Sequence, residues 1–161
     1  MGSGLTPESV AFISGSCYAK NWIPPARGFP TVMSPCEYGY FYFNQGLVND
    51  PYDYGWFWAG AASLGQVYSF APQRLAATAD RKNVLGGEAH LWSEYTLDVP
   101  DFEWKLWPRL LAFSEALWRA PNLDYTLVDF VRRARLHREE LIRQGVNAAP
   151  IEIHGMPHSL D

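Results

Sequence analysis

The chain has 161 residues, 48% hydrophobic and 19% charged, a composition that supports one domain with a sizeable core and excludes a disordered segment. It contains no apolar run of the ~18 residues that a membrane span requires. A net charge of −4 and a pI near 5.5 exclude nucleic acid as a partner, because phosphate binding needs clustered cations.

In chain order, Met1-Gly2-Ser3-Gly4 lacks the basic region and apolar core of a secretory signal and reads as an artificial start, so no localisation follows from it. Residues 10–13 (VAFI), closed by Ser14-Gly15-Ser16, predict a short buried strand. Pro24-Pro25 and Gly28 make residues 21–30 a loop. Residues 31–35 (TVMSP) predict a second strand ending at the proline. The aromatic stretch 37–44 either extends that strand or folds as a structured loop. Asn49-Asp50-Pro51 marks a turn, and Gly55, Gly60 and Gly65 argue against a regular helix over residues 56–70.

Residues 72–81 predict a short helix or loop. Residues 84–92 (VLGGEAHLW) predict a strand feeding a functional loop through Ser93 and Glu94. Residues 101–118 predict a helix, with Leu106, Leu110, Phe113 and Leu117 along one face and Pro108 either in an early turn or at a kink. Asp124 or Thr126 caps a last helix, whose apolar positions are Leu127, Phe130, Val131, Ala134 and Leu141 and whose stop is Gly145. The basic run Arg132-Arg133-Ala134-Arg135, beside Glu139 and Glu140, is expected to be a solvated helix face. The tail from Pro150 has no periodicity. Strands separated by long connections and followed by helices predict an α/β fold with parallel pairing, with fewer strands than a closed barrel of about 250 residues needs.

Cys17 and Cys36 either pair or remain free buried thiols, and no redox compartment is read from them. The aromatic content, 16% with Trp 7, Tyr 9 and Phe 9, suits a large core or a sugar site. A pyranose offers an apolar face that stacks on an indole, and hydroxyls that need carboxylate acceptors.

Three blocks carry a family resemblance. Val32-Met33-Ser34-Pro35 with Tyr40 forms the first, and Trp58-Ala59-Gly60 with Val67-Tyr68-Ser69-Phe70 and Pro72 forms the second. The third is residues 86–95 (GGEAHLWSEY), followed by Trp107-Pro108-Arg109 and Glu115-Ala116-Leu117-Trp118. Together they resemble the C-terminal part of a glycoside hydrolase family 20 barrel, the β-N-acetylhexosaminidases, over residues 29–145. Residues 1–28 match poorly, and residues 146–161 form an irregular tail.

The resemblance implies a partial (β/α)8 TIM barrel, its last strands and closing helices, completed by association. It implies an exo-glycosidase removing terminal N-acetylglucosamine or N-acetylgalactosamine by substrate-assisted hydrolysis, an exception to the two-carboxylate scheme. The sugar's acetamido oxygen attacks the anomeric carbon, while an adjacent Asp-Glu pair orients the acetamido group and protonates the leaving oxygen. No Asp-Glu dipeptide occurs in this sequence. By resemblance, Tyr40 steadies the acetamido oxygen and the intermediate. Trp58 and Trp92 wall the pocket, and Glu94 accepts hydrogen bonds from the sugar hydroxyls. Tyr42 stands where the family usually has a carboxylate. The family implies no cofactor, and members usually act outside the cytoplasm or in lysosomes.

Each of these residues also has a plainer role. Core packing is the default for a tryptophan, against which the motif context favours the pocket for Trp92 and leaves Trp58 even. Tyr38 or Tyr42 is an alternative to Tyr40 as the inward ring, and Glu94 an ordinary surface acid. Glu88 is expected to be a buried structural residue and His90 a satisfied core histidine; His154 and His158 carry no metal-ligand pattern. Glu37, after a strand that neighbours the one preceding Glu94, is the internal candidate for the acid. Expected partners are a terminal N-acetylhexosamine of a glycan or chitooligosaccharide, and a second copy or further barrel segment. The alternative is a non-catalytic carbohydrate-binding or structural module.

Overall fold

A computed structural model describes residues 28–53, 61–119 and 126–152, together with the backbone of residues 12–14. The strands are β1 (Phe12–Ser14), β2 (Thr31–Met33) and β3 (Val84–Gly87). They form one parallel sheet in the order β1-β2-β3, as the long connections between them predict. Phe12 pairs with Thr31 and Ser14 with Met33. Thr31 pairs with Val84 and Met33 with Gly87, with an irregularity between Thr31 and Val32.

Several predicted boundaries move. Ser14 belongs to the first strand instead of closing it, and β2 stops at Met33, before Ser34 and Pro35. The aromatic stretch is a structured loop: a one-turn helix α1 (Cys36–Gly39), then turns, with Tyr40 in an isolated parallel bridge to His90. The third strand ends at Gly87 and not at Trp92. The chain rejoins the sheet at His90 alone before a 3-10 turn over Ser93–Tyr95. Cys36 is disulfide-bonded, and Cys17 is the only other cysteine of the chain.

Helix α2 (Leu64–Tyr68) forms despite Gly65, because the Ser63 side chain caps it at Gln66 N (3.3 Å) and Leu64, Val67 and Tyr68 are buried. Residues 54–60, with the other two glycines of that argument and Trp58, lie outside the described residues. Helix α3 (Pro72–Leu75) starts on its proline and leads through a 3-10 segment, Thr78–Asn83, into β3. The long helix predicted over residues 101–118 is two helices, α4 (Val99–Leu106) and α5 (Arg109–Trp118). Pro108 has no N–H to continue the first and sits at the entry of the second, so it marks a boundary and not a kink. Asp98 caps α4 by accepting from Asp101 N (2.9 Å). Thr126 caps α6 (Leu127–Arg143) by accepting from Asp129 N (3.1 Å).

Gly145 ends α6 as predicted, at φ 86°. Its N–H donates to the Ile142 carbonyl (2.9 Å) and that of Val146 to the Leu141 carbonyl (3.0 Å), the paired bonds of a Schellman end. Of the basic run, Arg132 and Arg133 are exposed, and Arg133 pairs with Glu115 (2.6 Å). Residues 146–152 have no regular structure but are tied down. Arg138 Nε donates to the Ala149 carbonyl (2.6 Å), Asn147 N to Glu103 Oε2 (2.8 Å), and Ala149 N to the Trp107 carbonyl (3.2 Å).

The core lies between the sheet and α5. Phe70 stacks on Phe113 (5.2 Å between centroids, 17°) and on Tyr38 (5.2 Å), while Phe41 meets Phe113 edge-on (5.9 Å, 90°). Two glycines permit this packing. A β-carbon on Gly87 would stand 2.4 Å from Phe70 Cε1, and one on Gly39 would stand 2.8 Å from the Glu88 carbonyl oxygen.

At the centre sits Arg109, fully buried. Its Nη1 donates to the carbonyls of Phe43 (2.8 Å) and Ala62 (3.1 Å), its Nε to that of Lys105 (3.0 Å), and its Nη2 to those of Lys105 and Phe41. The guanidinium also lies 5.0 Å from the Phe41 ring centroid. Burial lowers its pKa to about 9, against which Asp50 pulls upward. A single ammonium cannot donate to all of these carbonyls at once. Arg109→Lys is expected to cost about 2–4 kcal/mol, read as a lower urea midpoint, and Gly87→Ala about 1–3 kcal/mol by overpacking against Phe70.

Candidate functional site

Parallel strands carry their sites beyond their carboxyl ends, where the following loops converge. Here β2 and β3 end side by side at Met33 and Gly87, and Glu88 N donates to the Met33 carbonyl (3.0 Å). Beyond them the two chains touch once more. His90 N donates to the Gly39 carbonyl (2.7 Å) and Phe41 N to the His90 carbonyl (2.7 Å), which clamps the backbone on both sides of Tyr40.

The aromatic side chains gather around this bridge. The Tyr40 ring meets His90 edge-on (5.3 Å, 82°) and Trp92 at 6.4 Å and 66°. His90 and Trp92 stack at 5.4 Å and 17°. Tyr42 stacks on Tyr95 (5.2 Å, 16°) and lies 5.8 Å from Tyr40. Tyr38 turns the other way, into the core against Phe70. Of the three candidate tyrosines, Tyr40 and Tyr42 therefore line this cluster, and Tyr40 is the one beside Trp92. Trp92 is 45% exposed, so the default of a core tryptophan does not hold for it.

The Tyr40 hydroxyl makes no hydrogen bond among the described residues, so it can donate to an incoming oxygen. Burial first, and then the charge of Glu88, raise its pKa above the ordinary 10.0, which keeps it a neutral donor across the physiological range. His90 is satisfied, with Nε2 2.6 Å from Ser34 Oγ, but it is half-buried and not a core residue. Glu88 is not buried either. Its side chain is 37% exposed, with Oε1 3.8 Å from His90 Nδ1, because the strand ends one residue earlier and releases it.

Glu94 is exposed in the 3-10 turn that follows Trp92, and Glu37 is exposed in the first turn of α1. Trp58, His154 and His158 lie outside the described residues. His90 and Ser34 are the members of the cluster whose part sequence reasoning missed. Ser34 was quoted only as part of a motif, and its spacing from His90, 56 residues, gives no local signal.

The site is thus an aromatic, partly exposed cluster with a neutral phenol donor and nearby carboxylates, at the carboxyl ends of parallel strands. Flat aromatic faces beside a neutral donor and carboxylates can pack against an apolar surface and hydrogen-bond hydroxyl groups at once. Residues 18–121 match the model of the glycosyl hydrolase family 20 catalytic domain, and the chain belongs to that family.

The chain is 33% identical over 125 residues to the β-hexosaminidase subunit beta of Sus scrofa, an alignment covering 77% of this chain and 20% of that protein. It is 34% identical over 135 residues to the chitooligosaccharidolytic β-N-acetylglucosaminidase of Ostrinia furnacalis, covering 78% and 20%. It therefore spans about a fifth of the length of these curated relatives. A family 20 β-N-acetylglucosaminidase structure superposes with a TM-score of 0.70 at 26% identity, over 86% of this chain and 30% of that one. The exo β-N-acetylglucosaminidase of Vibrio harveyi, solved with N-acetylglucosamine, shares the fold at a TM-score of 0.70 and 22% identity, over 94% of this chain and 24% of that one.

Tyr40 offers a direct check on the electrostatics. A phenol whose folded-state pKa exceeds its unfolded value keeps its proton longer in the folded chain. Its contribution to stability is then present below about pH 10 and is lost as pH rises through the folded-state pKa. Ultraviolet phenolate titration should show late-ionising tyrosines, Tyr40 and Tyr68 among them, one fewer in Tyr40→Phe, and the alkaline fall in stability should be shallower in that variant.

Proposed function

We propose that this chain forms the sugar-holding part of a β-N-acetylhexosaminidase site, which takes the terminal N-acetylglucosamine or N-acetylgalactosamine of a glycan or chitooligosaccharide. The observation that carries this reading is the Tyr40–His90–Trp92 cluster at the carboxyl ends of β2 and β3, inside the family match. The names of the relatives point to the same sugar class.

In this reading Tyr40 donates a hydrogen bond to the acetamido oxygen as that oxygen attacks the anomeric carbon. The bond to the leaving oxygen breaks, and the leaving group takes a proton from an acid. The phenol holds that oxygen in line for attack while the closing ring gains positive charge. Trp92 stacks on the sugar and Glu94 accepts from its hydroxyls, with Trp58 as a second wall. Tyr42, stacked on Tyr95, presents an aromatic face where a carboxylate is usual in the family. Residues 29–145 are the hexosaminidase-type part, 1–28 and 146–161 its flanks, and the three strands one sector of a (β/α)8 barrel.

The missing Asp-Glu dipeptide favours a second reading, a carbohydrate-binding module that holds the sugar without cleaving it. Release of p-nitrophenol from its β-N-acetylglucosaminide separates the two. The hydrolase reading expects release that falls about 10²-fold in Tyr40→Phe, the order of cost of letting the reacting oxygen drift, and that also falls in Glu94→Gln. Saturable binding of N-acetylglucosamine without release establishes the binding module instead. Glu37 is the internal candidate for the acid, and unchanged hydrolysis in Glu37→Gln removes it.

The sheet makes a second demand. Among the described residues β1 and β3 are its edges, and open edges recruit further strands. Association completes the barrel in this proposal, so light scattering is expected to find a dimer, and a monomer at high concentration counts against it.

A further inference from the structure

Between the two residues proposed to touch the sugar lies a third that none of the roles above uses. The His90 ring stacks on Trp92 (5.4 Å, 17°) and meets the edge of Tyr40 (5.3 Å, 82°). Three constraints hold it. Its backbone is clamped to Gly39 and Phe41, its Nε2 lies 2.6 Å from the Oγ of Ser34, and Ser34 is fully buried. A ring anchored to a buried hydroxyl cannot turn about its bond to the chain without breaking that contact. Trp92, by contrast, is 45% exposed and has no anchor of that kind among its described contacts.

The hydrogen-bonding chemistry is consistent with one orientation. If Ser34 donates its O–H to Nε2, the proton sits on Nδ1 and faces Glu88 Oε1 at 3.8 Å. The opposite tautomer would aim a lone pair at that carboxylate. Ser34 thus holds one nitrogen while the Glu88 carboxylate faces the other, and Trp92 rests on the flat of the ring.

We infer that His90 is a positioning residue, pinned by Ser34 and by its backbone clamp, that sets the plane of Trp92 beside Tyr40 and so shapes the wall on which a sugar ring stacks. His90 touches neither sugar nor leaving group; it acts through Trp92. The sugar-binding arm of the test rests on the hexosaminidase reading, and the spectroscopic arm does not.

The test uses the full chain with Ser34→Ala, which deletes one oxygen, and His90→Phe, which keeps a ring but not its hydrogen bonds. Melting temperature serves as the folding control. The Trp92 contribution to near-ultraviolet circular dichroism is obtained by subtracting the spectrum of a Trp92→Phe chain in each background. This band is expected to fall in both variants, and the two losses should not add in the double variant, because both break the same link. N-acetylglucosamine, the probe ligand, is expected to bind about tenfold more weakly to each, the loss of one hydrogen bond's worth of positioning.

A Trp92 band unchanged in folded Ser34→Ala and His90→Phe chains overturns the inference. Should His90→Phe fail to fold, the milder Ser34→Ala carries the test alone. A band that falls in a parent chain that binds no N-acetylglucosamine upholds the link between His90 and Trp92 and overturns the sugar-site reading instead. A band that falls while a sugar-binding parent and its variants share one affinity overturns the part of the inference that concerns the sugar.

Discussion

A guanidinium without water must find its partners in the protein, and Arg109 finds them in three stretches of chain. It donates to the carbonyls of Phe41 and Phe43 in the loop after β2, of Ala62 before α2, and of Lys105 at the end of α4. None of these carbonyls belongs to a sheet ladder, and the one guanidinium supplies a donor to each. The rest of the molecule depends on this fork. It replaces regular secondary structure in the region that leads into the site, and it fixes the loop whose neighbouring residue is Tyr40. A buried ion pair supports it one turn earlier, where Lys105 meets Asp101 at 2.8 Å and also donates to the Tyr95 carbonyl. Asp101 in turn accepts from Leu97 N (2.8 Å), so the turn after Trp92 is tied to the same helix. Buried charges of this kind contribute little net stability, but removing one partner strands the other, which suits them to fixing a single loop arrangement.

The glycines set how closely that loop approaches the sheet. With no β-carbon at Gly39, the end of α1 reaches the Glu88 carbonyl closely enough for the Tyr40–His90 bridge to form. With none at Gly87, Phe70 packs flat beneath β3 and carries the stack through to Phe113 on α5. The same strand end therefore faces the core on one side and releases Glu88, His90 and Trp92 on the other. The aromatic excess of the composition divides along this line. Phe41, Phe70, Phe113 and Tyr38 belong to the core, and Tyr40, Tyr42, Trp92 and Tyr95 to the site.

Much of this was legible in the sequence where a local signal existed. The strand runs, the Thr126 cap, the Gly145 stop and the solvated basic face follow from short-range chemistry. The family was legible because its motifs are contiguous. What could not be read required distant residues to meet. Arg109 was visible only as part of a Trp-Pro-Arg motif, since its acceptors lie up to 68 residues away. The split between α4 and α5 was missed because the apolar spacing of Leu106 and Leu110 runs through Pro108 without a break. Glu88 was assigned to the interior because the strand was drawn through to Trp92, whereas pairing ends at Gly87. Gly65 was weighed as a helix breaker on propensity alone, and burial of Leu64 and Val67 outweighs a cost of about 1 kcal/mol.

Holding a sugar and cleaving its bond make different demands, and the residues here divide between them. Holding needs flat apolar faces, fixed neutral donors and acceptors, all of which tolerate partial exposure. Tyr40 meets that demand because burial and the Glu88 charge both favour its protonated form. The same negative charge also suits the oxazolinium-like cation that the proposed chemistry forms beside it. Cleavage needs in addition a proton delivered to the leaving oxygen on the far side of the anomeric carbon, and a donor that is replenished in each cycle. Glu37 and Glu94 are both exposed, on different turns after different strands. Protonating a leaving oxygen calls for an acid held away from water, and closure of the site is what removes that water. In the proposed reading, the step from holding to cleaving therefore depends on what covers the exposed face of Trp92, and the covering surface is what a second copy or the rest of a barrel would provide.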